Sequence, residues 1–136
     1  MSRRTAGEAT WFRFGLVGVL NTITDLAGYT LLALAGVPSF AANLASTSAG
    51  MALSFTLNRS FTFRARPGSV RTQAVLFVLL TSFGLWVLQP VVIGLTTGAF
   101  DGLGPVPAVA GPKLAGLSAG VLWNYTAYTW VVFRPE

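Results

Sequence analysis

The chain has 136 residues, of which 53% are hydrophobic and 10% charged, whereas a soluble domain carries about 25% charged residues. Nine lysines and arginines stand against four acids, for a net charge of +5, and cysteine and histidine are absent. Those absences exclude disulfides, thiolate nucleophiles, the common zinc sites and histidine acid–base chemistry. The four acids, Glu8, Asp25, Asp101 and Glu136, lie too far apart in sequence to suggest a carboxylate pair. In so apolar a chain the positive balance points to cytoplasmic loops, and no nucleic-acid partner is expected.

Four apolar stretches follow one another: about Phe14 to Leu34, Phe40 to Leu57, Gln73 to Thr97 and Pro112 to Val132. Each approaches the roughly 20 residues that a helix needs to cross about 30 Å of hydrocarbon. Backbone groups in hydrocarbon must pair internally, so each stretch is expected to be helical. The expected fold is all-α and integral to the membrane, with four transmembrane helices in a single domain over 1–136. Arg3-Arg4 before the first stretch resembles a twin-arginine signal, but no small-residue cleavage site follows and the apolar run exceeds a signal core. The first helix is therefore expected to stay in the protein.

Asp25 is the only charge between Phe14 and Leu57. It lies eleven residues into the first stretch, about 16 Å from its start at 1.5 Å per residue. An aspartate at that depth costs about 2.5–3.5 kcal/mol on insertion scales, and such residues face a cavity or a partner. Gly18, Asn21, Asp25 and Gly28 form one small, polar stripe at helical spacing. Its two readings are a substrate or proton site and a hydrogen-bonded glue between helices.

The turn Gly36-Val37-Pro38-Ser39 leads into the second stretch, with a proline suited to a helix start. On that stretch Ser46, Gly50, Ser54 and Asn58 lie four apart. Asn58-Arg59-Ser60-Phe61-Thr62-Phe63 closes it, and an arginine there can clamp a phosphate through two parallel hydrogen bonds. Arg64, Arg66 and Arg71 in the middle loop read as topology signals. In the third stretch Gln89-Pro90 predicts a kink. The Gly/Pro-rich segment from Gly98 to Gly111 is expected to be a loop. In the fourth stretch Gly116, Gly120, Asn124 and Tyr128 share a face. The Gly116/Gly120 pair permits close helix contact, and a buried Asn124 amide needs partners. Lys113 is either a contact for an anionic group or a snorkelling anchor.

With the N-terminus in the cytoplasm, Arg3, Arg4, Arg13, Arg59, Arg64, Arg66, Arg71 and Arg134 all lie inside and Lys113 alone lies outside. Eight against one is the positive-inside pattern, and it places both termini in the cytoplasm. Trp11 and Trp130 fall at the inner boundaries. A shift of 70 residues superimposes the second stretch on the fourth: Leu44, Ala45, Ser48, Ala49, Gly50, Thr56, Phe63 and Arg64 meet Leu114, Ala115, Ser118, Ala119, Gly120, Thr126, Phe133 and Arg134. The first and third stretches match weakly. The expected architecture is two parallel helical hairpins, and repeated halves are common in transporters, with the site near their interface.

These residues resemble the GtrA-like family of small four-helix membrane proteins. The likeness is carried by Arg13-Phe14, Val17-Gly18, Asn21-Thr22 and Asp25, then Phe55, Asn58-Arg59 and Phe61-Thr62-Phe63, then Lys113-Leu114, Asn124-Tyr125 and Val132-Phe133. It spans about residues 12 to 134. The resemblance implies a multi-pass protein of the cytoplasmic (inner) membrane that flips a polyprenyl-phosphate-linked sugar for cell-surface polysaccharide synthesis. Its partners would be that lipid, the bilayer and a glycosyltransferase; separately, 136 residues make a narrow bundle, which suits a homo-oligomer. Phe61 stands where tryptophan is usual. Thr129 stands where arginine is frequent, and Trp130 is one place off the usual aromatic, so a second arginine-based phosphate site is not expected. The substrate-binding candidates are Asn21, Asp25, Asn58, Arg59, Asn124 and Lys113. No metal, cofactor or catalytic set is expected, and no glycine-rich P-loop is present. The alternatives are a membrane scaffold that recruits a glycosyltransferase without transporting and a small multidrug-type exporter. Such exporters use a first-helix glutamate rather than an aspartate.

Overall fold

The computed structural model describes residues 3–64 and 68–134, all of it helices and short links. Arg66 lies outside these residues, as do the side chains of Arg3 and Arg4. Four helical rods follow in order. The first is α1 (Arg3–Leu34). The second is α2 (Ser39–Leu57), continued by a π-turn at Asn58–Thr62. The third comprises α3 (Val70–Phe83), a π-turn at Gly84–Leu88, α4 (Gln89–Thr96) and a 3₁₀ turn at Thr97–Phe100. The fourth is α5 (Pro105–Ala127) with a π-turn at Tyr128–Val132. The chain divides into two compact units, 1–66 and 67–136, each an α-helical hairpin.

The rods outrun the apolar stretches because a helix does not stop where hydrocarbon ends. The largest difference is at 98–111, expected as a loop. Helix continues to Phe100, only 101–104 is a link, and α5 starts at Pro105. Pro105 and Pro107 sit in the first turn, where the missing N–H costs no intrahelical bond. Gly104, at φ +101°, makes the reversal that an L side chain resists.

The first hairpin link is equally defined. Gly36 N–H donates to Ala33 O at 3.1 Å and Val37 N–H to Leu32 O at 3.0 Å, the paired bonds of a Schellman cap. Pro38 then precedes Ser39 and α2 begins. Ser69 starts α3, its hydroxyl accepting from Thr72 N–H at 3.3 Å.

Two rods, Thr5–Leu34 and Val70–Phe100, are each long and apolar enough to cross a membrane. The other two carry more small and hydroxyl-bearing residues, such as Asn43, Ser46, Thr47, Ser48 and Gly50 on α2. Large apolar side chains are mostly on the outside: Phe40 and Leu34 are 81% exposed and Trp86 78%. The buried apolar side chains are few, chiefly Val17, Phe77, Tyr128, Val132 and Phe133. Lipid tails are as apolar as leucine, so helices in lipid hold together by close packing and internal hydrogen bonds instead.

In the second unit those bonds are specific. Trp123 Nε1–H donates to Leu80 O at 2.8 Å, across to α3. The Tyr128 hydroxyl bonds the Thr81 hydroxyl, and its ring stacks on Phe77 with centroids 4.7 Å apart. Pro90 perturbs its rod as expected, in the form of the preceding π-turn. Gln89 N–H reaches back five residues to Gly84 O, a wider turn that makes room for a proline lacking an N–H. α4 packs on α5 at Gly116, where an added Cβ would lie 2.8 Å from Ile93 Cγ1 and 3.2 Å from Gln89 O. Gly116→Leu should therefore lower the thermal stability of detergent-solubilised protein by about 1–3 kcal/mol. Gly94→Ala, at a position with open space around it, should leave it unchanged or raise it.

Candidate functional site

In the first unit the polar stripe of α1 lies against α2. Gly28 faces Ser46, with an added Cβ 3.3 Å from Ser46 Cβ. Asn21 rests on Gly50, where an added Cβ would come within 2.5 Å of Asn21 Oδ1. Gly18 departs from the stripe, facing open space. Between Asn21 and Gly28 sits Asp25, half-buried, its Oδ1 accepting from the Thr47 hydroxyl at 3.5 Å. That bond is long and therefore weak. Asp25 precedes the end of α1 at Leu34 by nine residues, about 14 Å of helix. Asp25 and Thr47 thus bridge the two helices at an exposed position, one turn along from the Asn21–Gly50 contact.

Asn58 and Arg59 lie at the other end of α2, about 12 Å beyond Gly50 along the helix. Here the helix opens into a π-turn closed by Phe63 N–H to Asn58 O at 2.9 Å. Asn58 is buried; its Nδ2 donates to Ser54 Oγ at 3.2 Å, while its Oδ1 has no hydrogen-bond partner among the described residues. Arg59 is half-buried in the same turn. The Arg13 guanidinium lies over the Phe61 ring, 5.5 Å from its centroid, a cation–π contact from α1 to the turn. Phe14 meets Phe63 edge-on at 6.4 Å, and Trp11 meets Phe14 at 6.0 Å. Arg64 follows with φ 47°, ending the turn in a left-handed conformation. The structure therefore gathers Arg13, Asn58 and Arg59 at the aromatic end of the hairpin and Asn21 and Asp25 nearer its middle.

Asn124 and Lys113 belong to the second unit and are eleven residues apart on α5, about 16 Å. Lys113 is exposed. Asn124 Oδ1 is buried, has no hydrogen-bond partner among the described residues and faces Gly84, an added Cβ there lying 3.3 Å away.

Two residues gain significance from the structure. Arg13 is a packing partner of Phe61 as well as a charge. Gln89 lies on Gly120, its Nε2 2.5 Å from an added Cβ, as Asn21 lies on Gly50. Gly50 and Gly120 are 70 residues apart but Asn21 and Gln89 are 68 apart. A comparison at one fixed shift sets Asn21 beside Val91 and misses the match. The usable signal was an amide in each first helix at slightly different register.

Residues 13–133 match the family model described as GtrA/DPMS, transmembrane domain, so the chain belongs to that family. No curated protein matches it.

The Asn21–Gly50 contact predicts coupling. Gly50→Ala should push the Asn21 amide aside and lower the thermal midpoint by the equivalent of about 1 kcal/mol. Combining it with Asn21→Ala should recover most of that loss, because the pair touch and do not act independently. Gly7→Ala, with open space around Gly7, is the control.

Proposed function

Starting from that family membership, we propose that the chain carries a polyprenyl-phosphate-linked sugar across the cytoplasmic (inner) membrane for cell-surface glycan synthesis. The observation that carries the reading is the Asp25–Thr47 pair that bridges α1 and α2 next to the Asn21–Gly50 contact, in a hairpin whose large apolar side chains are mostly exposed. Ionisable groups at membrane depth are costly and mark substrate or ion paths.

In this reading all four rods cross the membrane, with both termini in the cytoplasm. The prenyl tail stays in lipid while the headgroup moves along the hairpin's polar residues. Arg59 meets the phosphate at the cytoplasmic end, where Arg13 supplies a second positive charge. Asn21, Asp25 and Asn124 accept sugar hydroxyls, or Asp25 carries a proton. Lys113 faces the opposite side and meets the anionic headgroup on exit. The driving force is the substrate gradient or a coupled ion.

The second reading is a scaffold that holds a glycosyltransferase at the membrane. It is favoured by the way the glycine positions Gly50, Gly116 and Gly120 are consumed in helix contacts. Reconstitution in liposomes with a labelled polyprenyl-phosphate sugar separates the two. Wild-type protein should move the label, and Asp25→Ala and Arg59→Ala should each reduce the rate at least tenfold while still inserting and folding. Wild-type liposomes without movement, together with a co-purifying glycosyltransferase, would favour the scaffold.

The absence of cysteine makes the orientation directly testable. Single cysteines replacing Arg64 or Arg134 should react with an impermeant maleimide from the cytoplasmic side only, and one replacing Lys113 from the other side only. A shared side for Lys113 and Arg134 would overturn the proposed orientation.

A further inference from the structure

The two hairpins use the same framework with different chemistry at one point. Buried residues recur seventy positions apart: Ala42 with Pro112, Ser46 with Gly116, Gly50 with Gly120, Asn58 with Tyr128 and Thr62 with Val132. Both second helices end in a π-turn, Asn58–Thr62 and Tyr128–Val132. Both turns are closed by the same bond, Phe63 N–H to Asn58 O and Phe133 N–H to Tyr128 O, at 2.9 and 2.8 Å. In the second unit the turn is chemically complete. Tyr128 stacks on Phe77, its hydroxyl is bonded to Thr81, and Val132 presents only methyl groups.

The first unit is different. Asn58 is 1% exposed and Thr62 2% exposed, yet Asn58 Oδ1 and Thr62 Oγ1 both lack a hydrogen-bond partner among the described residues. They occupy the first and last positions of one turn. The Ser54 bond uses one of the two Asn58 amide hydrogens, and the amide oxygen has no donor among the described residues. A buried polar atom left unpaired is costly, and unpaired groups in a native structure call for an explanation. Asn58 Oδ1 can only accept, so its missing partner must donate a hydrogen. Thr62 Oγ1 can donate or accept. A phosphate offers acceptors and cannot supply the hydrogen that Asn58 Oδ1 lacks. A hydroxyl can do both tasks, donating to Asn58 and accepting from Thr62.

We infer that the π-turn of the first unit is a hydroxyl-reading subsite, in which Asn58 Oδ1 and Thr62 Oγ1 together hold one sugar hydroxyl of the headgroup whose phosphate lies toward Arg59. The inference rests on the proposed lipid-linked-sugar substrate and adds a division of labour to it. Arg59 recognises the phosphate common to all such lipids, the Asn58/Thr62 pair recognises that a sugar is attached, and the equivalent turn of the second unit is a packed copy without a binding role.

Binding of two probes to detergent-purified protein tests this: polyprenyl phosphate, and the same lipid carrying one hexose. Wild type should prefer the hexose lipid. Thr62→Val should lower hexose-lipid affinity about tenfold, equivalent to about 1.4 kcal/mol, and leave the bare lipid unaffected. Its thermal midpoint should stay or rise, because an unpaired hydroxyl has been replaced by a methyl of similar shape. Thr62→Ser should restore the preference, and Val132→Thr in the second unit should not alter it. Arg59→Ala should weaken both lipids alike. Thr62→Val binding both lipids as wild type does would overturn the subsite, with a buried water as the occupant of the turn, and leave the proposed function standing. Equal loss of both lipids in Thr62→Val would also overturn it. Wild type binding both lipids equally would overturn the subsite alone; wild type binding neither would overturn the proposed function as well.

Discussion

Everything in each hairpin depends on how closely two helices approach at one glycine. Gly50 admits the Asn21 amide and Gly120 admits the Gln89 amide, each at a distance that a single methyl group would violate. In lipid there is no general hydrophobic force to press helices together. Contact has to be obtained by removing side chains, and an amide placed in the gap can meet polar groups instead of hydrocarbon. The small residues that flank these glycines, Ser46 and Gly116, continue the same seam. The polar groups of the site are therefore part of what holds the helices, and the binding and packing readings of the stripe describe the same atoms.

The π-turns extend this logic to the helix ends. A turn closed over five residues is wider than an α-turn and re-aims the side chains that follow it. At Asn58–Thr62 and Tyr128–Val132 it keeps the last residues on the buried face: Thr62 and Val132 are buried like Asn58 and Tyr128 four positions earlier. In the third rod the same device stands immediately ahead of Pro90. One backbone irregularity thus serves two purposes, the termination of a repeat and the accommodation of a proline.

Much of this was legible in the sequence, because apolar length and small-residue spacing are direct requirements of a bilayer. The four rods, the Gly36–Pro38 reversal, the shared face of Ser46, Gly50 and Asn58, and the disturbance at Pro90 all follow from local chemistry. The segment 98–111 did not, because glycine and proline signal loops in general, whereas Pro105 and Pro107 occupy the one helical turn that tolerates them. The π-turns were also invisible, since no residue type demands one. Gln89 was hidden by a register difference of two residues between otherwise matching hairpins. Asn21 and Asp25 could be placed on one stripe, but the Thr47 donor could be named only once α2 was set beside α1. Asn124 was recognised as an amide in need of partners, and its Oδ1 has none among the described residues.

The links within the hairpins are short, 35–38 and 101–104, and the partners they join are near in sequence. Closing such a loop costs little entropy, and each added contact next to the link costs little more. A hairpin of this kind can zip from its turn outward as soon as its second helix has been synthesised. The unit carrying Asp25 and Asn58 can therefore complete its own contacts before the unit carrying Asn124 has been synthesised. A substitution at Gly50 would accordingly be felt during synthesis, and one at Gly120 only after the first hairpin is already formed.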